Sequence, residues 1–275
     1  MGAVPAHGRN GGGRPSATLR AITPLKSRLK PLLFRHPRAY SAARRVYVLV
    51  RFLARRAHEP DFAVFGRYPE RTRLFLDVGA NSGLSALSFR VHNRRSPILS
   101  IEPNPAHEPD LRLLRRLLRG FDYRMIAAGE ENGTATLHVP MAGGVALTGE
   151  ASLMRDFVES GTSVDLAPEA ATRGVRIVER EVPVRRLDDL ALDVDYVKID
   201  VQGFELKVVR GLLETLARCR PLVLLETSHE TAAIREELAP LGYSAWMLRG
   251  RELVPYSSQS TVNVLLIPAG AAPSS

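Results

Sequence analysis

The chain reads as an α/β domain on a doubly wound, mostly parallel sheet. Three observations predict it. Short apolar runs, several closing on an acid, recur between stretches of helical spacing. Those runs are continuous rather than alternating, as in strands covered on both faces. A glycine turn, Gly79 to Gly83, joins the first such run directly to the first such helix.

Taken in order, residues 1–16 hold Gly11, Gly12 and Gly13 between Pro5 and Pro15, the composition of a disordered tail. Residues 17–72 predict a basic helical N-terminal arm, cut by Pro24, Pro31 and Pro37. Its best helix lies near Ala39–Ala57, where Tyr40, Ala43, Tyr47, Val50 and Ala54 recur every three or four positions. The α/β domain is expected over 73–268. Leu74–Val78 is its first strand and Ser82–Val91 its first helix. A strand at Pro97–Glu102, a helix at Pro109–Arg119 and a strand at Phe121–Ala127 follow. Residues 133–184 break the rhythm with a hairpin strand (Thr134–Val139), a loop of small residues (Met141–Ser152) and an edge strand (Val175–Val184). An insertion of that length reads as a substrate lid. Alternation then resumes: strand Asp195–Asp200, helix Phe204–Ala217, strand Pro221–Glu226 and helix His229–Ala239. The last strands, Tyr243–Leu248 and Thr261–Ile267, are close enough in sequence for an antiparallel hairpin. Residues 269–275 read as a disordered tail.

A length of 275 residues with 45% hydrophobic content suits one large core with an appendage. No run reaches the roughly 18 to 20 uncharged apolar residues of a membrane span, and no secretory apolar core opens the chain. The cytoplasm is the expected compartment. Cys219 is the only cysteine, which excludes an intrachain disulfide and a cysteine metal site. Charge is uneven: residues 1–60 hold 13 Arg and Lys against one acid, Glu59. Such an arm either packs on the domain or, through residues 17–58, touches a membrane surface or a polyanion.

The cofactor signal centres on Asp77-Val78-Gly79-Ala80-Asn81-Ser82-Gly83. Gly79 permits a tight turn and close backbone approach to a ligand, and Ser82 or Asn81 can cap the helix that follows. Glu102 closes the next strand, so both acids fall at the carboxyl edge of the sheet, where such folds bind ligands. Glu102 is placed to accept hydrogen bonds from ribose hydroxyls, with Pro103-Asn104-Pro105 fixing the turn behind it. A dinucleotide site wants G-x-G-x-x-G, but position 81 is Asn, and Asp77 repels a pyrophosphate. A cationic sulfonium nucleoside, S-adenosylmethionine, suits that acid better.

Four segments occur in order: the glycine turn continuing to Leu84-Ser85, Ile101 to Pro105, Val184 to Leu190, and Val197-Lys198-Ile199-Asp200-Val201-Gln202-Gly203-Phe204-Glu205. Together they resemble the FkbM family of methyltransferases over about residues 73–267. The resemblance implies a class I methyltransferase fold of about seven strands, the last antiparallel. It implies S-adenosylmethionine as methyl donor and a hydroxyl on a sugar, polyketide or related molecule as acceptor. Asp77, Gly79, Asn81, Gly83, Glu102 and Asn104 would carry the cofactor, with Ala127 or Ala128 near the adenine. Two positions depart from the family: Gln202 stands where Glu is frequent, and Phe204 where a small residue is. A glutamine cannot serve as a base.

An alcohol acceptor needs a proton sink. Asp200, Glu226 and His229 are the candidates, since each lies at or just beyond a strand end. Asp200 and Glu226 also offer oxygen ligands for magnesium, but nothing in their spacing demands a metal and none is assigned. Two other readings compete with O-methylation of a small molecule or glycan. One is an RNA or DNA methyltransferase clamping its substrate with the arm. The other is a non-catalytic, membrane-associated cofactor binder. Nucleic acid is not the expected partner, because no aromatic stacking pattern appears.

Overall fold

The computed structural model describes residues 37–68, 70–142, 145–146, 151–161 and 175–271. The expected tail at 1–16, the arm before residue 37, part of the insertion and residues 272–275 lie outside the described residues.

Among the described residues, nine strands and five helices carry the α/β alternation. β1 (Leu74–Val78), β2 (Ile98–Ile101) and β3 (Phe121–Arg124) are followed, across an insertion, by β8 (Val194–Ile199), β9 (Leu222–Glu226), β10 (Tyr243–Arg249), β11 (Glu252–Pro255) and β12 (Asn263–Pro268). These eight make one sheet in the order β11-β10-β12-β9-β8-β1-β2-β3. The ninth, β4 (Ala127–Ala128), leaves it for a second sheet. From β3 to β9 all pairings are parallel, and β12 is antiparallel to both β9 and β10. β1, at the centre, is fully covered: Phe75, Leu76, Asp77 and Val78 are all buried. The doubly wound expectation holds, with two corrections. The last two expected strands do pair, but not as a hairpin. β11 lies between them in sequence and forms the hairpin with β10, while β12 inserts between β10 and β9. The sheet therefore has eight strands rather than about seven. The third expected strand, Phe121–Ala127, is divided between β3 and β4.

The second sheet has the order β4-β7-β5-β6, with β5 at Gly133–Ala142, β6 at Val145–Ala146 and β7 at Val175–Arg185. β5 and β7 pair antiparallel along ten positions, from Gly133↔Val184 to Ala142↔Val175. Leu137, Val139, Val182 and Val184 pack with Ala127 into a small core of its own. An isolated bridge between His138 and Ser152 brings the insertion back over this sheet.

Helices α2 (Leu84–His92) and α3 (Glu108–Leu117) cover one side of the parallel half. α3 turns Leu111 and Leu114 inward. The single helix expected over Phe204–Ala217 is two: Glu205–Arg210 and Leu213–Cys219. A Cβ at Gly211, between them, would lie 2.0 Å from the Gly129 carbonyl, so the backbones meet there without a side chain. Asp188 caps the second of the two helices from far away in sequence, accepting from the Glu214 and Thr215 N–H groups at 3.1 and 2.8 Å. The third ordered sequence segment thus has a structural task.

The core reaches back before Arg73. A 3₁₀ turn at Pro60–Arg67 buries Phe62, Val64 and Phe65. Phe65 meets Phe75, Phe89 and Tyr196 edge-on or tilted, and Phe75 stacks on Phe89 at 4.0 Å. The Tyr196 hydroxyl donates to the Tyr68 carbonyl at 2.7 Å. Ahead of the turn, α1 (Pro37–Ala54) is fixed by Arg44 and Arg45 on the buried Asp110 carboxylate, at 2.6 and 3.2 Å.

Candidate active site

The site is built from the tips of β8, β1 and β2, which lie side by side. Gly79 leaves β1 with φ +82 and donates to the Ile101 carbonyl at 3.0 Å. A Cβ at Gly79 would fall 1.7 Å from the Asp200 carbonyl oxygen. The neighbouring strand's backbone by itself requires glycine here. Gly83, at φ +83, is pressed against Leu114 of α3 in the same way. It is the N-cap of α2, and no side chain caps that helix. The expected Ser82 or Asn81 cap is absent. Asn81, itself at φ +51, instead donates its N–H to Glu102 Oε2 at 2.7 Å.

Glu102 is 6% exposed. Its Oε1 accepts from the Asn104 N–H at 2.8 Å, so one carboxylate ties the glycine turn to the loop after β2. Burial pushes this carboxyl up to about 7, against the pull of the two backbone N–H groups. Asn104 caps the following 3₁₀ turn through its side chain, which accepts from the Ala106 N–H. It supports Glu102 and does not line the cavity.

Asp77 points elsewhere than expected. It is fully buried inside the sheet, accepts from Ser100 Oγ at 2.9 Å, and does not line the cavity. Burial raises its pKa, and the nearby Lys198 ammonium opposes that rise. Lys198 is 3% exposed and donates to Asp200 Oδ2 at 2.6 Å. Burial works against its charge, yet the Asp200, Asp77 and Glu59 carboxylates raise its pKa above the usual lysine value. The cation Asp77 answers to is thus a lysine of the protein.

Beside this pair sits a second carboxylate. Gln202, at φ +57, donates from Nε2 to both Asp200 Oδ1 and Glu226 Oε2, each at 2.9 Å. Burial alone would raise Asp200, but Lys198 and hydrogen bonds from Glu226 and Gln202 hold it well below the carboxylate range. Burial, then Asp200, push Glu226 up to about 9. The two are driven in opposite directions, Asp200 towards its charged form and Glu226 towards its protonated one. Gln202 occupies the place between the oxygens that a cation would need. Among the described residues no group of three or more His, Cys, Asp or Glu side chains is arranged to hold a metal.

A cavity of ≈ 240 Å³ opens at these tips. Gly79, Asn81, Glu102, Ala127 and Asp200 line it, together with Ala128, Gln202 and Phe204. The insertion closes one side through Leu137 and Ala151–Leu153, and Ser152 Oγ donates to the Gln202 carbonyl at 2.6 Å. His229 is exposed in the turn before the helix Thr231–Leu238 and does not line the cavity. Sequence reasoning missed Glu59 and Asp61. Both accept from Asn263 Nδ2, at 3.0 and 2.9 Å, and Asn263 pairs in register with Glu226. That Glu59 is the one acid in the first 60 residues was the available signal.

The family model of the FkbM methyltransferase domain matches residues 77–245, which is more than half of the chain. The chain belongs to the FkbM methyltransferase family. Among curated proteins none matches it in sequence. Among solved structures, an FkbM methyltransferase from Methylobacillus flagellatus is 14% identical with a TM-score of 0.44, over 71% of this chain and 43% of that one. This chain therefore spans less than half the length of that relative. A precorrin-6y C5,15-methyltransferase from Geobacter metallireducens is 15% identical, with a TM-score of 0.36, over 75% of this chain and 84% of that one. An rRNA methylase from Streptococcus thermophilus is 9% identical, with a TM-score of 0.37, over 77% and 94%.

The order β3-β2-β1-β8-β9-β12-β10, with β12 antiparallel to its neighbours, is the seven-stranded sheet that the family resemblance implied, and β11 extends its edge. The family's methyl donor is S-adenosylmethionine, and the donor set fits it. Glu102 keeps a second lone pair on each oxygen for a diol. Ile101, Pro103, Ala127 and Ala128 offer a flat apolar wall. Asp200 supplies negative charge two strands from Glu102, about 10 Å across at the usual strand spacing.

Proposed function

We propose that the chain transfers a methyl group from S-adenosylmethionine to a hydroxyl oxygen of a small-molecule or glycan acceptor. The observation that carries this reading is the juxtaposition of two unlike carboxyl groups on one cavity edge. Glu102 faces the apolar wall, and Asp200 stands two strands away with its partner Glu226.

When bound, the cofactor supplies an electrophilic methyl group on a sulfonium. Glu102 would hold the ribose diol, and Ala127 and Ala128 would bed the adenine. Asp200 remains ionised because Lys198 neutralises it, so it accepts a hydrogen bond from the acceptor hydroxyl. As the oxygen becomes an ether, its O–H bond breaks; Asp200, held in its ionised form, takes the proton only in passing and releases it to solvent. Burial and the Asp200 charge push Glu226 towards its protonated form, so it is not the acceptor of that proton. Instead it joins Gln202 in fixing which way the Asp200 carboxylate faces. The Ala151–Leu153 segment closes over the acceptor and limits water. The departure at Gln202 is compatible with this scheme, since its amide orients carboxylates and accepts no proton.

The test is transfer of tritiated methyl to a panel of mono- and oligosaccharides, polyketide alcohols and mixed RNA. The reading expects alkali-stable O-methyl ethers on a hydroxyl compound. It expects Asp200→Asn to lower kcat by about 10²- to 10⁴-fold, the usual reach of a general base. Label on RNA alone would favour the nucleic-acid reading. Cofactor binding with no transfer to any acceptor would favour a non-catalytic binder.

A further inference from the structure

The turn that carries Gln202 runs through left-handed backbone: Gln202 lies at φ +57 and Gly203 at φ +91. A side chain there is uncommon and persists where its surroundings fix it. Two side chains outside the turn do so. Glu205 is 1% exposed, and its Oε1 accepts from the Val201 and Gly203 N–H groups at 3.3 and 3.0 Å. One carboxylate oxygen thus holds the turn on both sides of Gln202. From the insertion, Ser152 Oγ donates to the carbonyl of Gln202 itself. Ser152 is fixed in its turn. Its backbone exchanges two hydrogen bonds with His138 of β5, at 2.8 and 3.1 Å, and its Oγ also accepts from the Met154 N–H at 3.0 Å.

Packing does not account for an acid at position 205. A buried carboxylate loses its hydration, and hydrogen bonds must offset that loss. Here the two turn N–H groups do so on Oε1, while Oε2 has no hydrogen-bond partner among the described residues. Glu205 does not line the cavity either. What its carboxylate does is hold the turn. The turn in turn decides where the Gln202 amide lies. A glutamine side chain is long and rich in rotamers, so its Nε2 stays between Asp200 Oδ1 and Glu226 Oε2 only while the backbone that carries it is fixed.

We propose that Glu205 and Ser152 are positioning residues, which clamp the Val201–Gly203 turn and keep the Gln202 amide between Asp200 and Glu226. Its consequence for methyl transfer rests on the reading above, in which Asp200 receives the hydroxyl proton. Loss of either clamp lets Gln202 return to ordinary backbone angles and carries its amide away. Lys198 still holds Asp200 Oδ2, so the carboxylate keeps its charge and loses a contact that orients it. Through Ser152 the insertion also sets the carboxylate pair, besides closing one side of the cavity.

The sequence holds two glutamines, Gln202 and the exposed Gln259. The experiment is NMR of the full chain labelled with ¹⁵N-glutamine, following exchange of the side-chain amide protons with solvent. Gln259→Asn assigns the two signals. In the wild type the Gln202 amide should exchange more slowly than that of Gln259. Glu205→Ala and Ser152→Ala should each lose that protection, whereas Glu205→Gln, which keeps an accepting oxygen, should retain it. If thermal melts show that Glu205→Ala does not fold, Ser152→Ala and Glu205→Gln decide. An unprotected Gln202 amide in the wild type would overturn the proposal. So would protection that survives in the folded alanine variants, or its loss in Glu205→Gln. These readings need neither cofactor nor acceptor, so they fail separately from the proposed reaction. With an acceptor from the panel above, Glu205→Ala should lower kcat on the order of 100-fold at unchanged S-adenosylhomocysteine affinity, and Glu205→Gln should restore it. An unchanged kcat in a variant that has lost protection would refute the positioning role. A protected wild type that transfers no methyl group would sink the reaction and leave the clamp standing.

Discussion

Glu102 serves two partners with one carboxylate. It holds the glycine turn through the Asn81 and Asn104 N–H groups and, on our reading, it holds the ribose. Its carboxyl is raised to about 7 from 4.5. The folded chain therefore binds this proton more tightly than the unfolded chain, and Glu102 withdraws stability as pH rises from about 4.5 towards 7. Ligand affinity runs the other way, because hydroxyls donate to the ionised form. Titration calorimetry with S-adenosylhomocysteine should show affinity rising from pH 6 to 8, with proton release near pH 7 in buffers of different ionisation enthalpy. A flat profile would remove Glu102 from the ribose. Lys198 makes a second residue-scale case. Lys198→Met leaves Asp77 and Asp200 buried without their cation and should cost about 3–5 kcal/mol in urea unfolding. Asp200→Asn added to it should recover part of the loss. Glu102 was legible because an acid ends a strand beside a glycine turn. The Lys198 and Gln202 contacts were not, since neighbouring positions on a strand end give no sign of which carboxylate each will reach.

At the scale of elements, the glycines of the turn differ in kind. Gly79→Ala sets a Cβ against a fixed backbone oxygen and should prevent folding or leave only insoluble protein. Gly83→Ala meets the end of the Leu114 side chain, which can move, so the cost should be about 1–3 kcal/mol, mostly from φ +83. Paired thermal melts would show the difference, and equal costs would contradict it. Strands β1, β2, β8 and β9 were legible because continuous apolar runs of that length have few other uses. β11 was not: it is a four-residue edge ending in Pro255, with little apolar pattern to read. Nor was the helix break at Gly211, whose cause is the Gly129 carbonyl on a distant segment. Asp77 was misplaced for a related reason. A residue one short of a strand's end points to the face its register dictates, and here that is the buried face of Phe75, Ser100 and Lys198.

For the molecule as a whole, the arm and the domain share one core. Phe65 lies among Phe62, Phe75, Phe89 and Tyr196, so Phe65→Ala should cost about 3–5 kcal/mol in a single cooperative transition. A separate early transition would mean that residues 60–68 unfold on their own. The parallel order of the sheet was readable from the alternation of strand and helix. The partnership of Glu59 and Asp61 with Asn263 was not, because it joins the two ends of the described chain. The central claim is that the cavity between the β8 and β2 tips is the nucleoside site. A crystal structure of the chain grown with S-adenosylhomocysteine tests it most directly. The account predicts adenine against Ala127 and Ala128, with both ribose hydroxyls within hydrogen-bond distance of the Glu102 carboxylate. A nucleoside bound away from the Gly79–Gly83 turn would contradict it.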